Sequence, residues 1–300
     1  MSSVNGVINV YKEKGFTSHD VVAKLRGILK TKKIGHTGTL DPNAEGVLPV
    51  CIGNATKLCD LIMEKKKIYE AELVLGIETD TEDMTGTVIR KYEGDILITE
   101  EEIFSAVKSF VGEYDQIPPM YSALKVNGKK LYELAREGVE IERKCRRVTI
   151  FDIQILCISL PVVKLRVECS KGTYIRALCR DIGAKLMVGG CMGELLRTAS
   201  GKFNIEKAVK IEKIEELMSM GKVDDIIIST DKVLDNYPAL MVKEEYLKFL
   251  SNGNAMTFEM FENSENISGE NEKYRIYCDN AFRAVYQSQD GKLFKCEKMF

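Results

Sequence analysis

The chain has only two histidines in 300 residues, and neither stands in a cluster of cysteines or carboxylates with metal-ligand spacing. A zinc centre needs three or four such ligands held together, so no metal site is expected. Its nine cysteines are an odd number, scattered from Cys51 to Cys296 without a C-x-x-C pair, and most sit in apolar runs such as Ile155-Leu156-Cys157-Ile158. They read as reduced thiols acting as small hydrophobes rather than as disulfides or zinc ligands. No apolar run reaches 18 residues, and Met1 to Gly6 lacks both the basic start and the apolar stretch of a secretory signal, so a cytosolic protein is expected. No Gly-Lys-Ser/Thr follows the glycine-rich region, which argues against a Walker loop, and no Gly-x-Ser-x-Gly elbow supplies a serine nucleophile. Charge of one sign is also missing: the net charge is −2 and the pI is near 6.0, which does not advertise a nucleic-acid binder.

The distribution of that charge says more than its sum. Lys24, Arg26, Lys30, Lys32 and Lys33 form one basic zone, Lys65, Lys66 and Lys67 a second. Lys125, Lys129, Lys130, Arg136, Arg143, Lys144, Arg146 and Arg147 form a third, whereas acids gather around 78–82, 100–102 and 262–272. Any one run reads as solvated surface. Three of them bracketing one loop place a basic face on a near-neutral protein and point to a polyanion. With 45% hydrophobic and 29% charged residues, the chain has material for one large domain with a small appendage.

Apolar periodicity predicts a strand at 6–11, then a helix capped by Ser18 with Val21, Val22, Leu25, Ile28 and Leu29 inward. A strand at 47–52, a short helix at 55–63 and an alternating strand at 68–75 follow, the last with Tyr69, Ala71, Leu73 and Leu75 on one face. Beyond a strand at 87–92, Thr99 and Glu102 form a capping box for a helix to about Val111. From 115 to 147 the chain is polar and broken by Pro118-Pro119, an excursion of the kind that is functional or mobile. Strands at 148–158 and 162–169, a helix after Ser170-Lys171-Gly172-Thr173 and a strand at 191–197 complete residues 1–230. Short strands at 240–242, 274–278, 282–286 and 293–296, with a polar loop at 262–271, suggest a small β-rich module over 231–300. The class is α+β, with a mixed, mostly antiparallel sheet flanked by helices.

The densest stretch is the loop from Gly35 to Pro49. It holds three glycines, two prolines, His36, Asp41 and Glu45. Pro42 pushes Asp41 out of the helical region and into an extended or turn geometry. By composition alone the loop is a site or a connector. Asp41 and Glu45 as a glycosidase pair, or His36 with Asp41 as a hydrolase dyad, are weaker readings.

Gly35-His36-Thr37-Gly38-Thr39-Leu40-Asp41-Pro42, continuing to Gly46-Val47-Leu48-Pro49, resembles the active-site signature of the TruB family of pseudouridine synthases. Further segments resemble the family in the same order: Thr17-Ser18-His19-Asp20, Lys67-Ile68-Tyr69-Glu70-Ala71, Tyr121-Ser122-Ala123-Leu124-Lys125 with Gly128-Lys129-Lys130, and Ser170-Lys171-Gly172-Thr173-Tyr174-Ile175-Arg176. The likeness covers about residues 5–205. Two departures stand out. Glu13 follows Lys12 where the family often has proline, and Leu195-Leu196-Arg197-Thr198-Ala199-Ser200-Gly201 lacks two basic positions common in the family.

The resemblance implies the pseudouridine-synthase fold and a PUA-like C-terminal module. It implies an isomerase that converts a uridine of the TΨC stem-loop of tRNA, at position 55, to pseudouridine, with the nucleotide flipped into a pocket and no cofactor. Asp41 matches the essential aspartate, Arg176 the arginine that pairs with it and Tyr69 the tyrosine that stacks on the flipped base and abstracts a sugar proton, the three being the catalytic candidates. His36 matches the histidine that fills the vacated stack. Gly38, Thr39, Leu40, Tyr174 and Arg197 are further substrate-binding candidates, and 115–147, with Lys125, Lys129 and Lys130, matches an RNA-gripping insertion. The enzyme so implied is a cytoplasmic monomer that needs no protein partner and no membrane. Its rivals are a guide-RNA-dependent synthase subunit and a non-catalytic tRNA-binding or folding protein.

Overall fold

A computed structural model describes residues 4–63, 66–126, 128–263, 267 and 269–300. Lys65 of the second basic zone, Met1 to Ser3 and part of the 262–271 loop lie outside them.

Strand β1 (Gly6–Lys12) leads into helix α1 (Ser18–Ile28), then β2 (Ile34–His36) and β3 (Glu45–Ile52) on either side of the glycine- and proline-rich loop. A 3₁₀ turn at Gly53–Leu58 precedes α2 (Cys59–Met63), so the short helix expected at 55–63 is split in type. Next come β4 (Lys67–Leu75), the hairpin β5 (Ile77–Thr79) and β6 (Val88–Lys91), α3 (Glu100–Lys108) and β7 (Gly112–Gln116). The small strands β8 (Lys125–Val126) and β9 (Lys129–Lys130) and α4 (Leu131–Arg136) follow, then β10 (Arg146–Ser159), β11 (Val162–Cys169), α5 (Ile175–Lys185), β12 (Gly190–Ser200), β13 (Phe203–Asn204) and α6 (Ile211–Ser219). The remaining strands are β14 (Ala239–Met241), β15 (Met256–Thr257), β16 (Lys273–Cys278), β17 (Ala281–Ser288) and β18 (Leu293–Met299).

The main sheet has the order β1-β3-β12-β4-β11-β10-β7, with β2 on β3 and β13 on β12. Its one parallel pair among the described residues joins β12 to β3, with Leu196 opposite Glu45 and Arg197 opposite Gly46. In β4 the alternation is complete: Lys67, Tyr69, Ala71, Leu73 and Leu75 are buried and the residues between them half-buried. That face packs with α3 and α5 over Ile103, Val107, Leu178 and Ile182. Helices α1 and α6 pack with β1 and β3 through Val21, Leu25, Ile8, Val50 and Ile214. A third cluster joins Val7, Val47 and Cys51 of this sheet to Val233, Leu234 and Val285, so the five-stranded sheet β14-β16-β17-β18-β15 is seated on the first. No helix among the described residues is long and apolar enough to cross a membrane.

Several boundaries differ from the sequence expectation, and three of them have a clear physical reason. The cap of α1 is Thr17, not Ser18. Its hydroxyl accepts from the Asp20 amide at 3.0 Å while the Asp20 carboxylate accepts from the Thr17 amide at 2.8 Å, a reciprocal capping box. Helix α3 starts on the expected Thr99–Glu102 box but stops at Lys108, because Gly112 opens β7 with φ of +111°. The polar excursion is shorter than 115–147: Asp115 and Arg147 are paired across β7 and β10 and joined by an ion pair at 2.8 Å, so both ends belong to the sheet.

Candidate active site

The loop between β2 and β3 is held from every side. The Thr37 amide and hydroxyl both donate to the Pro49 carbonyl, at 3.1 and 3.2 Å. Released from capping, the Ser18 hydroxyl accepts from the Leu40 amide at 3.0 Å and donates to the Leu40 carbonyl at 3.4 Å. The Ala44 amide closes a turn on the Asp41 carbonyl at 3.1 Å. Beneath it lies Lys12, fully buried, whose ammonium donates to the carbonyls of Glu13 and Pro42 at 3.1 Å and of Ala44 at 2.5 Å. Burial pulls its pKa down to about 8, against the opposing pull of Asp41 and Glu45. Sequence reasoning missed Lys12 and Ser18 as functional supports. The signal for Lys12 was a lone cation closing an otherwise apolar strand.

Two features fix where the loop re-enters the sheet. Gly46 has φ of +108°, and a Cβ there would lie 2.2 Å from the Arg197 carbonyl oxygen, so only glycine lets β3 approach β12. Arg197 is itself fully buried. Its Nε donates to the Val47 carbonyl at 2.7 Å and a terminal nitrogen to the Gly38 carbonyl at 3.2 Å. Tyr69 stands opposite Arg197 across β4 and β12 and is more than nine-tenths buried. Burial raises its phenol pKa, with the Arg197 charge opposing, so the hydroxyl carries its proton at neutral pH.

Asp41 and Arg176 meet from 135 positions apart in the chain. The guanidinium Nε lies 2.9 Å from Oδ2 and a terminal nitrogen 3.0 Å from Oδ1, a bidentate fork. The Arg176 side chain is 5% exposed and that of Asp41 36%, so the cation is sealed beneath a carboxylate that still faces outward. The other guanidinium protons go to the carbonyls of Thr81 at 3.1 Å and Tyr121 at 2.9 Å, with Asp83 Oδ2 at 3.8 Å. Asp83 is held in turn by the Thr81 hydroxyl at 2.9 Å and the Thr85 amide at 3.0 Å. The result is an oriented carboxylate at the rim of a buried cationic socket, fit for attack on an electrophilic carbon or for stabilising positive charge.

His36 is half-buried at the end of β2, where the loop begins. Its Nδ1 accepts from the Gly38 amide at 3.4 Å, and its ring meets that of His19 edge-on at 5.4 Å. Burial first, then the charges of His19 and Arg197, lower its pKa below 6.5. Between that lowered value and 6.5 the unfolded chain binds more protons, so this contribution to stability rises with pH and is lost as pH falls. Denaturant titrations at pH 7.5 and 5.5 should therefore show a smaller acid loss in His36→Gln than in the parent protein.

The remaining sequence candidates divide. Gly38 and Thr39 lie on the loop itself, with Thr39 exposed, whereas the Leu40 side chain is buried in the core cluster with Ala44 and Tyr69. Tyr174 caps α5 and is tied to Gln116 by two hydrogen bonds, its amide to Oε1 at 2.8 Å and Nε2 to its carbonyl at 3.0 Å. Lys125, Lys129 and Lys130 sit on the β8–β9 hairpin, and no described contact joins them to Asp41. Instead Lys129 pairs with Glu137 at 3.4 Å and Lys130 with the Tyr132 hydroxyl at 3.2 Å. No group of three or more metal-ligating side chains occurs among the described residues.

Comparison with known proteins bears on this arrangement. Residues 26–175 match the family model of the TruB family pseudouridylate synthase N-terminal domain, and residues 176–235 that of the tRNA pseudouridylate synthase B C-terminal domain. The chain is 51% identical to tRNA pseudouridine synthase B of Lachnoclostridium phytofermentans, covering 99% of this chain and 100% of that one. It is 48% identical to the protein of the same name from Clostridium perfringens (strain 13), covering 99% of each. Among solved structures, a Cbf5-Nop10-Gar1 complex superposes with a TM-score of 0.75 at 27% identity, over 98% of this chain and 84% of the matched one. An H/ACA RNP bound to a substrate RNA containing 2′-deoxyuridine superposes with a TM-score of 0.74 at 25% identity, with the same coverage.

Proposed function

The chain belongs to the TruB family of tRNA pseudouridine synthases, isomerases acting on tRNA, and on that premise we propose that it converts uridine 55 of the TΨC arm by itself, with Asp41 as the essential group. The observation that carries this reading is the outward-facing Asp41 carboxylate clamped bidentately by a buried Arg176. Tyr69 stands beside this pair through Arg197, which it faces across β4 and β12 and which holds the Gly38 carbonyl of the same loop.

Isomerisation breaks the C1′–N1 bond, turns the uracil and joins C1′ to C5; the proton leaves C5 for solvent and N1 gains one. Atoms and electrons balance within the substrate and water, so no further reactant is required. A uridine stacked in an arm is out of reach of Asp41, so it must be flipped out first, at an unstacking cost of roughly a few kcal/mol. Asp41 then serves as nucleophile or electrostatic partner at the sugar or base, Tyr69 presents a ring for stacking and His36 occupies the gap in the arm. The neutral state of His36 suits it to stacking.

The hairpin lysines and the rest of 117–145 grip phosphates in this reading. Replacing Lys129 and Lys130 together by glutamine should weaken binding of a TΨC stem-loop and reduce the slope of log affinity against log salt by about 1–2, one per lost phosphate contact. Filter binding from low to high salt measures it. The five-stranded sheet over 239–299 is assigned to RNA contact as a PUA-like module, and the protein acts as a monomer in the cytoplasm.

Incubating the protein alone with an unmodified tRNA transcript tritiated at uridine C5 tests the whole reading. One tritium per tRNA should be released, and none when cytidine replaces uridine 55. Binding without release would favour a guide- or partner-dependent subunit, or a purely RNA-binding role. Unchanged release from the cytidine-55 transcript would place the target elsewhere.

A further inference from the structure

Helix α5 carries a second arginine one turn beyond Arg176. Arg180 Nε pairs with Asp181 at 2.7 Å, one terminal nitrogen pairs with the Glu82 carboxylate and the other donates to the Ile117 carbonyl at 3.2 Å. Arg176 and Arg180 therefore reach the same two segments. The first takes the carbonyls of Thr81 and Tyr121, the second the side chain of Glu82 and the carbonyl of Ile117. Residues three and four apart face the same way on a helix, which makes the two arginines successive rungs of one clamp. The rungs join α5 to the 79–87 loop and to the stem of the 117–145 excursion.

Glu82 is an unusual residue to find there. It is 8% exposed, its backbone lies at φ of +62°, and its Oε2 is buried without a hydrogen-bond partner. A non-glycine residue in the left-handed region and an orphaned carboxylate oxygen each cost stability. Burial raises the pKa of this carboxyl, opposed by Arg180 and then by Arg176 and Arg143, the last of which comes from the excursion itself and donates to the Pro118 carbonyl at 3.0 Å. On the far side Asp181 accepts from the Tyr114 hydroxyl, and the backbone of the loop is pinned to β12 by Met192 donating to the Glu82 carbonyl at 3.0 Å. Packed carboxylates and cations thus surround Arg180 on three elements.

We propose that Glu82 and Arg180 are positioning residues for the reaction: their ion pair sets the 79–87 loop and the excursion stem so that the Thr81 and Tyr121 carbonyls aim the Arg176 guanidinium at Asp41. The inference rests on the reading of Asp41 and Arg176 as the reacting pair. Glu82 touches no reacting atom, so its effect passes through Arg176 and must vanish once Arg176 no longer forms its fork.

That dependence is the test. Tritium release is measured for the parent, E82Q, R180K, R176K and the double variant E82Q/R176K, with thermal unfolding followed for each. Misplacing a clamp by a fraction of an ångström should lower kcat about tenfold in both E82Q and R180K, with KM within twofold of the parent. R176K alone should lose roughly 10²-fold, and adding E82Q to it should change kcat less than twofold. Two outcomes overturn the inference: kcat within twofold of the parent in either single variant while it remains folded, or a loss in E82Q that adds in full to that of R176K. The second would mark Glu82 as a support acting independently of Arg176. Normal turnover by R176K overturns the Asp41–Arg176 reading instead, and so separates the two failures.

Discussion

Asp41→Asn should reduce tritium release from uridine-55 tRNA by roughly 10³-fold or more while leaving RNA binding within severalfold of the parent. The substitution keeps shape and volume and removes only the charge. An amide is neither a nucleophile nor a stabiliser of positive charge, so whichever role Asp41 plays at the sugar or base is lost. Arg176 pays part of the cost: its sealed guanidinium would face a neutral partner, and breaking a buried pair from one side can destabilise by roughly 3–5 kcal/mol. The loss should fall below that range here, because the Thr81 and Tyr121 carbonyls remain bonded and Asp83 stays 3.8 Å away. Melting curves alongside the assay separate lost chemistry from lost fold. An Asp41→Asn protein that melts near the parent and turns over normally would remove Asp41 from the mechanism.

Gly46→Ala is the second large effect, and it strikes the fold and the site together. The new Cβ would sit 2.2 Å from the Arg197 carbonyl oxygen and 3.0 Å from the Arg197 carbonyl carbon and amide nitrogen. These are backbone atoms of the neighbouring strand, so no side chain can swing aside. The residue would also have to hold φ of +108°, which L-residues avoid. Steric and backbone strain together should cost roughly 3–5 kcal/mol, a large share of a stability of about 5–15 kcal/mol. A fall in Tm of about 10 °C is expected. Relief comes only by parting β3 from β12, which drags Arg197 from the Val47 and Gly38 carbonyls and unseats the loop bearing Asp41. Gly15→Ala is the matched control: φ is +87° but nothing lies within 4 Å, so only the conformational cost of roughly 1–2 kcal/mol applies. Equal melting temperatures for the two variants would refute the packing argument.

Much of this was legible before the fold was known. The alternation from Ile68 to Leu75 placed Tyr69 on the buried face, and the box at Thr99 and Glu102 located α3. The loop around Asp41 was marked by its glycines, prolines and family resemblance. At α1 the local signal was degenerate, since Thr17 and Ser18 are both good caps. Leu40 decided between them, because its amide and carbonyl both engage the Ser18 hydroxyl. The C-terminal end of α3 was overextended because Phe110 continues its apolar stripe and packs against the core from beyond the helix.

Periodicity, capping residues and turn formers act over a few neighbours, which is why the sequence alone determined most strands, most helices and the loop between β2 and β3. Burial of charge follows a different logic. Taken locally, Arg176 early in a helix, Lys12 at a strand end and Arg197 in a strand all look like surface residues. Each is sealed because its hydrogen-bond partners arrive from distant segments: Arg176 from Asp41, Thr81 and Tyr121, Lys12 from the loop carbonyls, and Arg197 from Gly38 and Val47. A buried cation is tolerable only where such partners converge. That convergence is set by the order of strands in the sheet, so although the family resemblance named Arg176 and Arg197, only tertiary structure decided that they and Lys12 are sealed beneath the loop while other cations face water.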